Sequence, residues 1–141
     1  MIEEIKQESV QAGIKLVIND LVGVCHDLAK ESGWWTDTET GLPLLEAAGR
    51  WAPHVIGGKI ALIHSEASEA LEGQRKNVPD DHLPHRSMLE VELADLMIRA
   101  LDLAGAMDLD LGGAVAEKLL YNQSRADHKP ENRALEGGKK F

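Results

Sequence analysis

Two acidic steps, Glu66-Ala-Ser-Glu69 and Glu92-Leu-Ala-Asp95, each place a pair of carboxylates three residues apart. Both lie in stretches with helical periodicity, where side chains three apart share a face. The second stretch, residues 88–107, is apolar almost all round. Projected at about 100° per residue, it leaves a narrow polar stripe of Glu92, Asp95, Arg99 and Asp102. A helix of that composition is normally buried, and buried carboxylates need a partner. Four carboxylates converging between two packed helices therefore call for a cation, and oxygen-only donors select a hard one, Mg²⁺ first, with Mn²⁺ as its substitute. On spacing alone a plainer arrangement stays open: a solvated face on which Asp95 and Arg99 form an ordinary i, i+4 ion pair.

The elements that must position these groups follow from periodicity. Residues 3–31 read as a helix with a seam of Ile14, Val17, Ile18, Leu21, Cys25 and Leu28, ended by Gly33. Residues 32–53 read as a loop rich in Gly, Thr and Asp, with a short helical turn around Leu44–Arg50. A second helix spans about 54–76, its seam formed by Ile56, Ile60, Ile63, Ala67, Ala70 and Leu71, with Glu66 beside that seam. After a polar, Pro-bearing connection, Ser87 and Glu90 form a capping box for a third helix, 88–107. A fourth helix covers about 111–127 after Asp110 or Gly112-Gly113. Residues 128–141 read as a polar, mobile tail. No stretch alternates as a strand does, so the expected fold is all-α: one domain, 1–141, built as a four-helix bundle protomer.

Composition limits the partners. A chain of 141 residues can bury roughly 70% of its unfolded surface. Cys25 is the single cysteine, so no intrachain bridge forms, and a reduced, cytoplasmic setting is the default. The amino terminus is acidic and begins no apolar run, unlike a signal peptide, and no stretch reaches the ~20 apolar residues of a membrane span. The net charge of −9 disfavours duplex nucleic acid. It leaves room for a small anion delivered with a divalent cation, which then sets the local charge.

The stretch Lys59-Ile-Ala-Leu-Ile-His64-Ser65-Glu66-Ala-Ser-Glu69, followed after a spacer by Glu92-Leu-Ala-Asp95, resembles the pattern of MazG-like nucleoside triphosphate pyrophosphohydrolases. These belong to the all-α NTP pyrophosphatase superfamily. Ser65 stands where the family's acidic doublet often has its first Glu, as in small phage-type members. Lys118-Leu-Leu-Tyr-Asn122-Gln-Ser-Arg125 is similar to the family's K-x-x-x-N-x-x-R step, and the Gly137–Phe141 ending is similar to phage-type tails. The resemblance covers roughly residues 14–141. It implies Mg²⁺-dependent hydrolysis of an NTP or dNTP between the α and β phosphates, with Glu66, Glu69, Glu92 and Asp95 at the metal-binding and catalytic positions. It also implies dimers or dimer pairs, a cytoplasmic protein (the host's cytoplasm for a phage-encoded one), and a lean toward purine deoxynucleotides, dATP or dGTP.

Other groups are candidates for the substrate. Lys118, Asn122 and Arg125, at i, i+4 and i+7, could hold phosphate oxygens, with Arg forking two of them. Lys59 is a similar phosphate candidate. Trp34 and Trp35 could stack on a base or plug the end of the bundle. His26, one turn before Lys30, could read the base edge or sugar. His64 reads as a packing residue, and His54, His82 and His85 show no zinc pattern. Three alternatives remain: a non-catalytic helical interaction module whose carboxylates make salt bridges, a dUTPase- or dCTPase-like member of the superfamily, and a di-iron bundle. The last usually needs Glu-x-x-His steps, which the acidic motifs lack. The third helix has more apolar surface than one partner helix covers, which predicts a homodimer or homotetramer.

Overall fold

The computed structural model describes residues 5–138. Among them every regular element is helical: α1 (Glu8–Glu31), α2 (Leu44–Ala48), α3 (Ala52–Lys76), α4 (Met88–Ala106), α5 (Leu111–Ser124) and α6 (Pro130–Arg133), with 3₁₀ turns at Gly49–Trp51 and Ala126–His128. By contacts the chain divides into two compact units. One is Leu21–Leu109; the other combines the segment up to Asp20 with the segment from Asp110 onward.

In the first unit, α3 and α4 pack along their lengths. The pairing is antiparallel: Gly73 lies against Met88 and Leu89, while Glu66, nearer the start of α3, meets Arg99, nearer the end of α4. Gly73 permits the close approach. A methyl group there would stand 3.0 Å from the Leu89 nitrogen and the Met88 side chain. Asn77 ends α3 in the left-handed conformation, its N–H donating to Gly73 O. The connection is organised by buried Asp80, whose Oδ1 accepts the N–H groups of His82 and Leu83. The capping box at Ser87 forms as expected: Ser87 Oγ accepts Glu90 N–H, and Glu90 Oε2 accepts Ser87 N–H.

The buried faces differ from the expected seams. On α1 the less exposed line runs Ile14, Ile18, Val22, Cys25, His26 and Ala29, while Val17, Leu21 and Leu28 stay exposed. On α3 the line is Ile56, Lys59, Ile63, Glu66, Ala70 and Gly73, so Glu66 lies within the seam rather than beside it. On α4 the polar stripe turns inward as expected, with Glu92 8% exposed; Leu101 and Ala104 are buried as well, while Leu93 and Met97 are about half exposed. The stripe chooses the inside because it has charged partners there, which Leu and Met cannot replace.

In the second unit, Asp110 caps α5 by accepting Gly113 N–H, and it also takes Lys15 Nζ at 2.6 Å and Asn19 Nδ2 at 2.8 Å. These donors hold its carboxyl down at about 2. The fourth long helix ends at Ser124, not 127: Arg125 is extended and a 3₁₀ turn follows. The expected tail carries local order through α6, where Asn132 Nδ2 donates to Ala126 O. The first residues of the predicted opening helix, and Lys139–Phe141 of the phage-like ending, lie outside the described residues.

Candidate functional site

Because α3 and α4 run antiparallel with their acidic steps facing, Glu66, Glu69 and Glu92 converge. One ligand oxygen from each lies within 4.8 Å of the others. Glu66 and Glu92 are buried and Glu69 is exposed, so the group opens to solvent on the Glu69 side. Asp95, the fourth carboxylate of the motif, is half-buried and outside this trio, although its charge acts on Glu92. Burial is the main reason the Glu92 carboxyl is pushed up to about 7; a hydrogen bond with Glu66 and the charges of Glu69, Glu66 and Asp95 add to it. Three crowded carboxylates with a proton held among them are the donor set a hard divalent cation would take, replacing the proton with its own charge.

Arg99 reaches into the same place. Its Nε donates to Glu66 Oε1 at 2.6 Å. The sequence alternative of an Asp95–Arg99 pair within α4 is therefore replaced by a pair across helices. Lys59 lies two turns before Glu66 on α3. Its Nζ sits 4.3 Å from the centroid of the Trp35 ring and donates to Trp34 O at 3.3 Å. Burial pushes the Lys59 ammonium down from its ordinary range; the Asp102 charge opposes this and the Arg99 charge reinforces it.

The two tryptophans part company. Trp34 is 68% exposed, whereas Trp35 is buried and donates Nε1–H to Asp102 Oδ1 at 2.7 Å. The same oxygen meets His26 Nδ1 at 2.9 Å, and the His26 and Trp35 rings pack edge-on at 5.6 Å. Beside them opens a cavity of about 390 Å³, lined by His26, Lys30, Trp35, Thr36, Leu44 and Ala106 among others. Cys25, on the same helix, is half-buried, and burial followed by the Asp102 charge pushes its thiol up.

Lys118, Asn122 and Arg125 belong to the other unit. Lys118 Nζ lies over the Tyr121 ring, Arg125 makes a two-pronged pair with Asp127, and Asn122 Oδ1 is buried without a hydrogen-bond partner. With the helix ending at Ser124, Arg125 leaves the helical face it was expected to share. His54 packs against Trp51, and His64 is exposed. Two residues of this region were not assigned a role by sequence reasoning: Asp102, and Arg99 as a partner of Glu66. Both were visible as members of the α4 stripe, spaced four and three from the acidic step and from each other.

The chain is 32% identical over 79 residues to a curated protein of Cyanophage S-2L, a dATP/dGTP diphosphohydrolase. The match covers 56% of this chain and 65% of the relative, so the chain spans somewhat less than two thirds of that protein's length. No family model matches the chain. No solved structure matches it.

Proposed function

We propose that this protein is a metal-dependent nucleotide pyrophosphohydrolase of the MazG-like kind. It would cleave a nucleoside or deoxynucleoside triphosphate between the α and β phosphates, releasing monophosphate and pyrophosphate, with purine deoxynucleotides favoured. The observation that carries the reading is the inward convergence of Glu66, Glu69 and Glu92 from two antiparallel helices. The likeness to the phage dATP/dGTP diphosphohydrolase supports the substrate class.

Glu66, Glu69 and Glu92 would hold Mg²⁺, with Asp95 acting on the group through its charge. When bound, such an ion polarises phosphoryl oxygens, lowers the pKa of a bound water and neutralises the leaving pyrophosphate. The chain supplies the rest. Packing fixes the two buried glutamates, so the donors are in place before substrate arrives. The carboxylates left free of the cation provide the base for the attacking water. Arg99, which pairs with Glu66 across α3 and α4, and Lys59, which lies over the Trp35 ring, bring positive charge for the triphosphate. Lys118, Asn122 and Arg125 remain the residues that the family resemblance assigns to phosphate oxygens.

The reading extends to a cytoplasmic homo-oligomer, dimer or tetramer. The exposed apolar side of α4, with Leu93, Met97 and Ile98, supports self-association. Among the described residues no helix is long and apolar enough to cross a membrane.

The test is incubation of purified protein and Mg²⁺ with each common NTP and dNTP, followed by chromatography of the products. Monophosphate and pyrophosphate are expected, in a reaction stopped by chelator. Release of orthophosphate and a diphosphate, or undiminished turnover in excess chelator, would overturn the reading.

A further inference from the structure

Asp102 lies on the inward stripe of α4, three residues beyond Arg99, and is 14% exposed. Its Oδ1 takes two neighbours at once: Trp35 Nε1 at 2.7 Å and His26 Nδ1 at 2.9 Å. Because that oxygen already accepts the Trp35 N–H, it meets His26 as an acceptor too, and Nδ1 must carry the proton. The neutral imidazole then has its lone pair on Nε2. Nε2 meets no hydrogen-bond partner among the described residues and is not enclosed there as an orphaned polar atom. His26 is a wall of the cavity of about 390 Å³, a volume within the usual range for a small-molecule pocket. The ring is closely packed: a methyl group on Gly105 would stand 2.5 Å from His26 Cβ, and the Trp35 ring meets it in a T-shaped arrangement at 5.6 Å.

We propose that Asp102 is a positioning residue that fixes His26 with its lone pair toward the cavity, so that the pocket selects purines bearing an exocyclic amino group. Adenine and guanine each offer such a donor, at the 6- and 2-position. Hypoxanthine offers neither. The proposal rests on the pyrophosphohydrolase reading and deepens it, because it names the group that the base must present. A pocket acceptor left without a donor is costly, so the analogue that lacks the amino group is rejected.

The experiment compares kcat/KM for dATP, dGTP and dITP in the wild type and in Asp102→Leu. A leucine cannot accept the Nδ1–H, so the imidazole is no longer held with its lone pair on Nε2. The wild type is expected to favour dATP, dGTP or both over dITP by about tenfold or more. In Asp102→Leu that ratio should fall at least tenfold, with dITP turnover kept or raised. A uniform loss on all three substrates, with the ratio unchanged, would make Asp102 merely structural and overturn the proposal. A wild type that hydrolyses dITP as well as the amino purines would also overturn it, yet would leave the pyrophosphohydrolase reading standing. A wild type that turns over no triphosphate overturns both. Should Asp102→Leu fail to fold, His26→Phe, which keeps a ring and removes the acceptor, decides: loss of the ratio supports the proposal and an unchanged ratio overturns it.

Discussion

Arg99 donates to Glu66 across the α3–α4 interface at 2.6 Å, and Glu66 is buried while the Arg99 side chain is 44% exposed. An interior carboxylate is thus neutralised by a cation that keeps one side in water. The pair uses a carboxylate that also belongs to the acidic trio, so Arg99 and a divalent cation can each supply the positive charge Glu66 needs.

Arg99→Gln should lower the stability of the metal-free protein by about 1–2 kcal/mol, less than for a fully buried pair because Arg99 is partly solvated. Mg²⁺ should recover most of that loss by supplying the missing charge. Thermal melts with chelator and with Mg²⁺ measure both terms. A deficit that persists unchanged in Mg²⁺ would show that the two cations do not compete for Glu66.

Glu92 predicts a pH dependence of definite sign. Its carboxyl is raised from 4.5 to about 7 in the folded protein, so the folded state holds a proton that the unfolded chain has released. That contribution to stability is fully present below about 4.5 and is lost as pH rises toward 7 and beyond. Glu92→Gln should remove this slope in chelator and raise stability at pH ~8, where the wild type carries crowded negative charge. Mg²⁺ competes with the proton, so its stabilising effect should grow with pH and level off above about 7. Melts over a pH series with and without Mg²⁺ would reveal a slope of the wrong sign at once.

Glu69→Gln and Asp95→Asn keep shape and remove one charge each. As parts of a metal site, each should cost on the order of 3–4 kcal/mol of transition-state stabilisation, or roughly 10²–10³ in rate. Neither should destabilise the metal-free protein, because each relieves repulsion. The steeper loss is expected for Glu69, which stands inside the trio, than for Asp95, which stands outside it. Hydrolysis assays beside melts in chelator separate this from simple salt bridging; a variant that melts early in chelator yet keeps full activity would end the metal-site reading.

Gly105→Ala should destabilise by about 1–3 kcal/mol, the usual penalty for overpacking. The added methyl would stand 2.5 Å from His26 Cβ and 2.8 Å from its Cγ, so either the ring or the helix must move. Calorimetric unfolding of this variant beside Gly13→Ala, whose added methyl meets nothing within 4 Å, tests the assignment. Equal effects would mean that Gly105 is not a close-packing position.

Much of this protein was determined by sequence alone, because the signals are local. The Ser87–Glu90 capping box and the Asp110 cap each depend on groups three residues apart, and the chain carries that spacing whatever packs around it. The acidic steps were legible for the same reason. What only the tertiary structure decided is which partner wins where several are within reach. Arg99 has Asp95 one turn away, yet it pairs with Glu66, far off in sequence. Asp102 was one more member of a polar stripe until the loop brought Trp35 Nε1 and the end of α1 brought His26 Nδ1 to the same oxygen. Rotation of α3 put Glu66 inside its seam, and rotation of α4 turned a polar stripe inward and left Leu93 and Met97 exposed. Helical periodicity specifies which residues share a face. The direction that face points is set by the sum of charge pairing and close packing between helices, and no single segment of the chain contains that sum.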